Sequence, residues 1–222
     1  MAMSGAVGNF TPGAGLDPLE GVSVCVFEQP DIACATTDAT GHYKLSGLPA
    51  GEDLLISYTK PDYVAQIGML STGSADIGPV EIRLAPESSA ELLFALIGAT
   101  WPLGETGGVT FGAYPTTTGG GIGPTDGIAG YAVMMAPDSG TGPVYVDNSE
   151  IPNTELTETS APGWGLYANV DPGTVGITFT KAGKPCDRVR PGYGWESSFS
   201  GGTLQVPIIT GYLTAGAVLC DP

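Results

Sequence analysis

The stretch Thr37-Asp38-Ala39-Thr40-Gly41-His42-Tyr43, continued by Leu48-Pro49-Ala50-Gly51 and Ile56-Ser57-Tyr58-Thr59-Lys60, decides the fold of this chain. Gly41 offers the positive-φ position of a tight turn, and Pro49 with Gly51 marks a second one. Tyr43 and Leu45, then Leu54, Ile56 and Tyr58, recur at every second residue, the period of a strand with one buried face. The pattern occurs twice. At one constant offset, Thr159-Ser160-Ala161-Pro162-Gly163-Trp164-Gly165 repeats the first turn and Val170-Asp171-Pro172-Gly173 repeats the second. One deletion later, Ile177-Thr178-Phe179-Thr180-Lys181 repeats the alternating strand. A duplicated unit of turns and period-2 strands predicts an all-β chain of two tandem sandwiches rather than one barrel.

Working outward, the first unit is expected over residues 15–87, with strands at 22–27, 33–37, 42–48, 53–59, 63–70 and 77–84. Residues 1–14 are expected to be a disordered or added leader. The second, larger unit is expected over 88–222. It opens on a short connecting helix at 89–100, capped by Ser88 or Ser89. Its strands are expected at 108–113, 131–136, 143–147, 156–159, 165–170, 175–181, 203–207 and 214–220. Gly119-Gly120-Gly121-Ile122-Gly123-Pro124 reads as a flexible loop within it, a linker being the alternative.

Gly21-Val22-Ser23-Val24, the 37–45 stretch and Leu48-Pro49-Ala50-Gly51 together resemble the carboxypeptidase regulatory-like domain family. Its members are transthyretin-like (prealbumin-like) Greek-key β-sandwiches. The second copy resembles a divergent member through Thr159, Gly163, Val170, Pro172 and Gly173, and departs at Ser160 and at Trp164-Gly165. The resemblance implies a secreted or cell-surface bacterial module acting as a spacer, accessory or adhesion unit, in some cases binding glycans. Some wider relatives carry a lysine–asparagine isopeptide bond. Here Asn9, Asn148, Asn153 and Asn169 lie away from the last strand of either unit, so none is expected. The glycine-rich, acidic style also resembles bacterial surface lipoproteins, which implies a lipid anchor upstream; Met1-Ala2-Met3-Ser4 reads as an added start.

Composition narrows the function further. The chain has 222 residues, with Gly 35 and Pro 19, and 42% are hydrophobic, which is too apolar for a disordered chain. The formal charge of −16 makes nucleic acid and anionic lipid poor partners. The longest apolar stretch, 90–103, is broken by Glu91 and too short to span a bilayer. Cys25, Cys34, Cys186 and Cys220 lack the close spacing of a zinc site and read as two disulfides. Four cysteines allow three connectivities, of which Cys25–Cys34 with Cys186–Cys220 keeps each bridge within one unit. Disulfides imply an oxidising compartment.

Candidate chemistry is sparse. His42, the single histidine, lies four residues from Ser46, ~13 Å along an ideal strand and beyond hydrogen-bond reach. Glu155 with Glu158, and Asp147 with Glu150, are the carboxylate pairs an extracellular hydrolase would use. Asp147-Asn148-Ser149-Glu150 offers successive oxygen donors, and Asp147 with Asn148 is the expected place for a calcium ion if one binds. Trp164, Tyr167, Tyr193 and Trp195 are the candidate sugar-stacking platform, or else plug the sandwich ends. Lys181, Lys184, Arg188 and Arg190, four of seven bases, surround Cys186 and are expected to dock against the acidic body or to bind an anionic polymer. The expected function is a non-catalytic secreted or surface binding module whose partner is an extracellular polysaccharide or another surface protein. The alternatives are a purely structural spacer and a carboxylate-pair hydrolase.

Overall fold

A computed structural model describes residues 1–116 and 127–222; the glycine-rich stretch at 119–124 lies outside the described residues. The first half carries β1 (Ala2–Asn9), β2 (Asp17–Pro18), β3 (Ser23–Val26), β4 (Ala35–Thr36), β5 (His42–Ser46), β6 (Asp53–Thr59), β7 (Gln66–Ser71) and β8 (Ile77–Leu84). The helix α1 (Glu87–Leu96) follows, then β9 (Gly107–Pro115), β10 (Ala132–Ala136), β11 (Thr141–Val146), β12 (Pro152–Asn153), β13 (Trp164–Val170) and β14 (Gly173–Thr180). The chain closes with β15 (Cys186–Val189), β16 (Tyr193–Gly194), β17 (Phe199–Ser200), β18 (Thr203–Ile208) and β19 (Leu213–Cys220).

The duplication is visible in the strand registers. In the first copy β1 lies between antiparallel β5 and parallel β8; in the second β9 lies between antiparallel β13 and parallel β19. Ala6 faces His42 as Gly112 faces Trp164, and Gly5 faces Val80 as Phe111 faces Gly216. The opposing layers match as well: Val24–Tyr58 and Ile56–Gly68 correspond to Val133–Phe179 and Ile177–Leu204. Each copy is therefore a two-layer sandwich. The β5-β1-β8 sheet packs on β4-β3-β6-β7, and β12-β11-β13-β9-β19 packs on β10-β14-β18-β17.

The matched turns have a shared cause. The Thr37 hydroxyl donates to the Leu19 carbonyl at 2.6 Å and accepts from Val22 N–H at 2.9 Å; Thr159 does the same with Ile128 and Tyr131 at 2.7 and 3.0 Å. Gly41 and Gly163 both sit at φ 76°, where a side chain would strain the turn. Lys60 and Lys181 end their strands alike, donating to the Glu20 and Ala129 carbonyls at 2.9 Å.

Residues 1–14 are not a disordered leader. Ala2–Asn9 is the central strand of the first sandwich, with Met3 and Val7 fully buried. The sequence signal was weak because glycines and alanines blur the alternation. The helix begins at Glu87 with Pro86 in the cap position, so Ser88 and Ser89 fall inside the first turn and provide no side-chain cap. No strand forms at 156–159; Thr159 serves the turn instead.

The two sandwiches share a sheet. Leu213, Thr214 and Ala215 of β19 pair in parallel with Gln66, Ile67 and Gly68 of β7, so one eleven-stranded sheet runs across both copies. The β19 strand is buried at all eight positions, as expected of a central strand covered on both faces. Its Ala215, Ala217 and Leu219 join the first core, with Val24, Ile56 and Ile82. Its Val218 and Cys220 join the second, with Phe111, Ile177 and Val206. The helix covers the outer face of the second sandwich, where Ala90 and Phe94 meet Val144, Leu166 and Ala168.

Candidate functional site

The residues singled out in the sequence separate into distinct surroundings. The disulfides are Cys25–Cys34 and Cys186–Cys220, one in each copy. Asp38 Oδ1 accepts from Thr40 N–H, the Thr40 hydroxyl and His42 N–H, and these bonds hold its carboxyl below the usual range. The Thr40 oxygen also meets His42 Nδ1 at 2.9 Å. Its one proton goes to Asp38, so the imidazole donates rather than activating the hydroxyl. This is an exposed turn whose threonine hydroxyl proton is held by Asp38.

Glu155 and Glu158 are exposed and line neither of the hollows described in the structure. Asp147-Asn148-Ser149-Glu150 does not converge on one point. Asp147 Oδ1 accepts from Ser149 and Ile151 N–H at 2.8 and 3.0 Å, closing the β11–β12 turn. Asn148 Oδ1 accepts from Ala161 N–H. Glu150, at φ 61°, turns inward. Among the described residues no group of three His, Cys, Asp or Glu side chains is placed to hold a metal ion.

The four aromatics do not share an exposed face. Tyr167 is buried in the second core, its hydroxyl on the Val133 carbonyl. The other three peg the copies together. Tyr193 donates to the Glu81 carbonyl, Trp195 Nε1 to the Leu54 carbonyl at 3.0 Å, and the Trp164 ring meets Phe10 edge to face at 5.8 Å. Nothing in the sequence told a ring against a sugar from a ring against the neighbouring sandwich. The basic loop is likewise structural in part: Arg190 is buried against the Tyr114 and Tyr193 rings, at 4.2 and 5.0 Å, and Lys181 lies over Tyr131.

The junction contains an ion pair that sequence reasoning missed. Arg83 of the first copy meets Glu150 of the second at 2.5 and 3.0 Å, a two-pronged contact, with the two side chains 7% and 0% exposed. Glu150 also accepts from Gly13 N–H and Trp164 Nε1. Its carboxylate is thus fully hydrogen-bonded, as a buried charge requires. Only the signal of two opposite charges in different repeats was available in sequence, and many such pairs exist.

Beneath this pair lies a hollow of about 130 Å³ between β8, α1 and the outer face of the second sandwich. Its floor is Gly112, Ala215 and Ala217, whose short side chains cannot fill the space under the helix. Leu93 and Phe94 form the α1 wall, while Phe10 and Trp164 stand with the ion pair at the mouth. A second hollow is an open groove beside Lys181, Lys184 and Asp187. Among the described residues no helix is long and apolar enough to cross a membrane.

No protein-family model matches the chain, and no curated protein matches it. Solved structures give fold likeness only. The chain is similar to the Bacillus anthracis TIE protein at 10% identity and a TM-score of 0.32, over 99% of this chain and 33% of that one, so it spans about a third of that protein. It is similar to GBS52, the minor pilin of Streptococcus agalactiae, at 12% identity and a TM-score of 0.31, over 100% of this chain and 96% of that one. The shaft pilin spaA of Lactobacillus rhamnosus GG aligns at 13% identity and a TM-score of 0.28, over 100% and 97%. No residue role is transferred from them.

Proposed function

We propose that this chain is a rigid, non-catalytic structural module that works outside the reducing cytoplasm. One observation carries the reading: the sandwiches are joined by the parallel β7–β19 pairing, sealed by the buried Arg83–Glu150 pair and the Tyr193 and Trp195 pegs. A linker between independent domains would leave few contacts across the boundary. Here backbone hydrogen bonds, a charge pair and ring contacts all cross it, which suits a unit that holds a fixed length. The two disulfides support an extracellular or envelope location. The matched threonine turns support assigning both copies to the carboxypeptidase regulatory-like type. Partners would be other surface proteins, with glycan contact at Trp164 and Trp195 the competing reading.

The test combines solution scattering with unfolding and binding. A scattering profile fitted by the single rigid shape, one urea transition seen by probes in both copies, and no turnover of polysaccharide, ester or peptide substrates are expected. Two separate transitions, or saturable oligosaccharide binding lost on Trp164→Ala, would overturn it.

A further inference from the structure

We infer that the hollow under α1 is a binding site for a small uncharged apolar molecule, no larger than a substituted benzene ring. Three observations point this way. The volume, about 130 Å³, approaches the ~150 Å³ at which an apolar cavity stays dry and accepts benzene. The lining is chemically one-sided: Gly112, Ala215 and Ala217 below, Leu93 and Phe94 from the helix, and the rings of Phe10 and Trp164 at the mouth. Five of the polar side chains in the lining are already committed. Arg83 and Glu150 neutralise each other, Trp164 Nε1 donates to Glu150, Gln66 Nε2 donates to the Arg83 carbonyl at 2.7 Å, and the Tyr193 hydroxyl donates to the Glu81 carbonyl.

A charged guest would enter without a counter-charge, and a strongly polar one would trade water for groups that are already paired. A flat apolar guest loses nothing polar and meets ring edges in the arrangement aromatic pairs prefer. The guest also supplies atoms that the short floor side chains lack, so binding stabilises the fold that contains the site. Among the described residues, α1 lies across the outer face of the second sandwich and no helix lies across that of the first.

The probe is benzene, titrated into the full chain while the methyl signals of Ala215, Ala217 and Leu93 are followed by NMR. A saturable shift of these methyls, at millimolar benzene or below, is expected, together with a raised thermal midpoint. Ala217→Leu fills the floor and should weaken benzene binding at least tenfold. Leu93→Ala, a wall change on the half-buried side of α1, should keep benzene binding and add saturable binding of indole, which keeps the test independent of whether Ala217→Leu folds. Methyl shifts that grow linearly to the solubility limit, binding unchanged by Ala217→Leu, or no indole binding by Leu93→Ala would overturn the site. None of these results bears on the rigidity measured by scattering, so the two readings fail separately.

Discussion

Thr37 and Thr159 each hold a turn through a single hydroxyl that both donates and accepts. Thr37→Val keeps the shape but leaves the Leu19 carbonyl and Val22 N–H without that partner. The expected loss is about 1–3 kcal/mol, because unpaired buried groups carry their full desolvation cost. Thr159→Val should lose a similar amount, and urea unfolding of the two variants checks both. A second consequence lies in the tyrosines. Burial drives the Tyr58 hydroxyl well above its ordinary range, and burial also raises Tyr43 and Tyr193. Raised folded values mean that the unfolded chain releases protons first as pH climbs. Stability is therefore complete below about pH 10 and falls above it. Urea midpoints from pH 8 to 11 should show this decline, and Tyr58→Phe should make it shallower.

At the scale of elements, β1 is the largest departure from what the sequence suggested. It pairs with β2, β5 and β8, so it is the middle of a sheet and not a tail. Deleting residues 1–9 should expose Tyr43, Leu45 and Ile82, bind a hydrophobic dye and remove near-ultraviolet tyrosine dichroism; unchanged spectra would contradict the assigned topology. The β11–β12 turn matters for a different reason. Asp147 shapes it so that Glu150 points inward to Arg83. Glu150→Gln leaves the arginine buried without its counter-charge and should cost about 3–5 kcal/mol in urea unfolding. Replacing both members, Arg83→Met with Glu150→Met, should recover most of that loss, since the desolvation penalty of both charges disappears.

For the whole molecule, the covalent bridges are unequal. Cys25–Cys34 spans 9 residues and Cys186–Cys220 spans 34, the latter tying β15 to β19 inside the shared sheet. Longer closed loops restrict the unfolded chain more. Replacing the second pair by alanine should cost about 4 kcal/mol and the first about 3 kcal/mol. Thermal unfolding of the two double variants gives the comparison, and the reverse order would show that strand tethering in the first sandwich dominates.

The strand-rich class, the paired turns and the duplication were legible in the residues alone, while the cysteines left three pairings open. Those features are local, or repeat at a constant spacing: glycine at a positive-φ turn, apolar residues at every second position, threonine in the same place twice. Only the tertiary structure decided that β7 lies beside β19, that β1 completes the first sheet, and that Trp164, Tyr193 and Trp195 face the neighbouring sandwich. The physical reason is that strand pairing uses backbone groups common to every residue, so a sequence carries little record of which edge meets which. Arg83 and Glu150 likewise show their partnership only when the packing of two separate copies brings them within 3 Å.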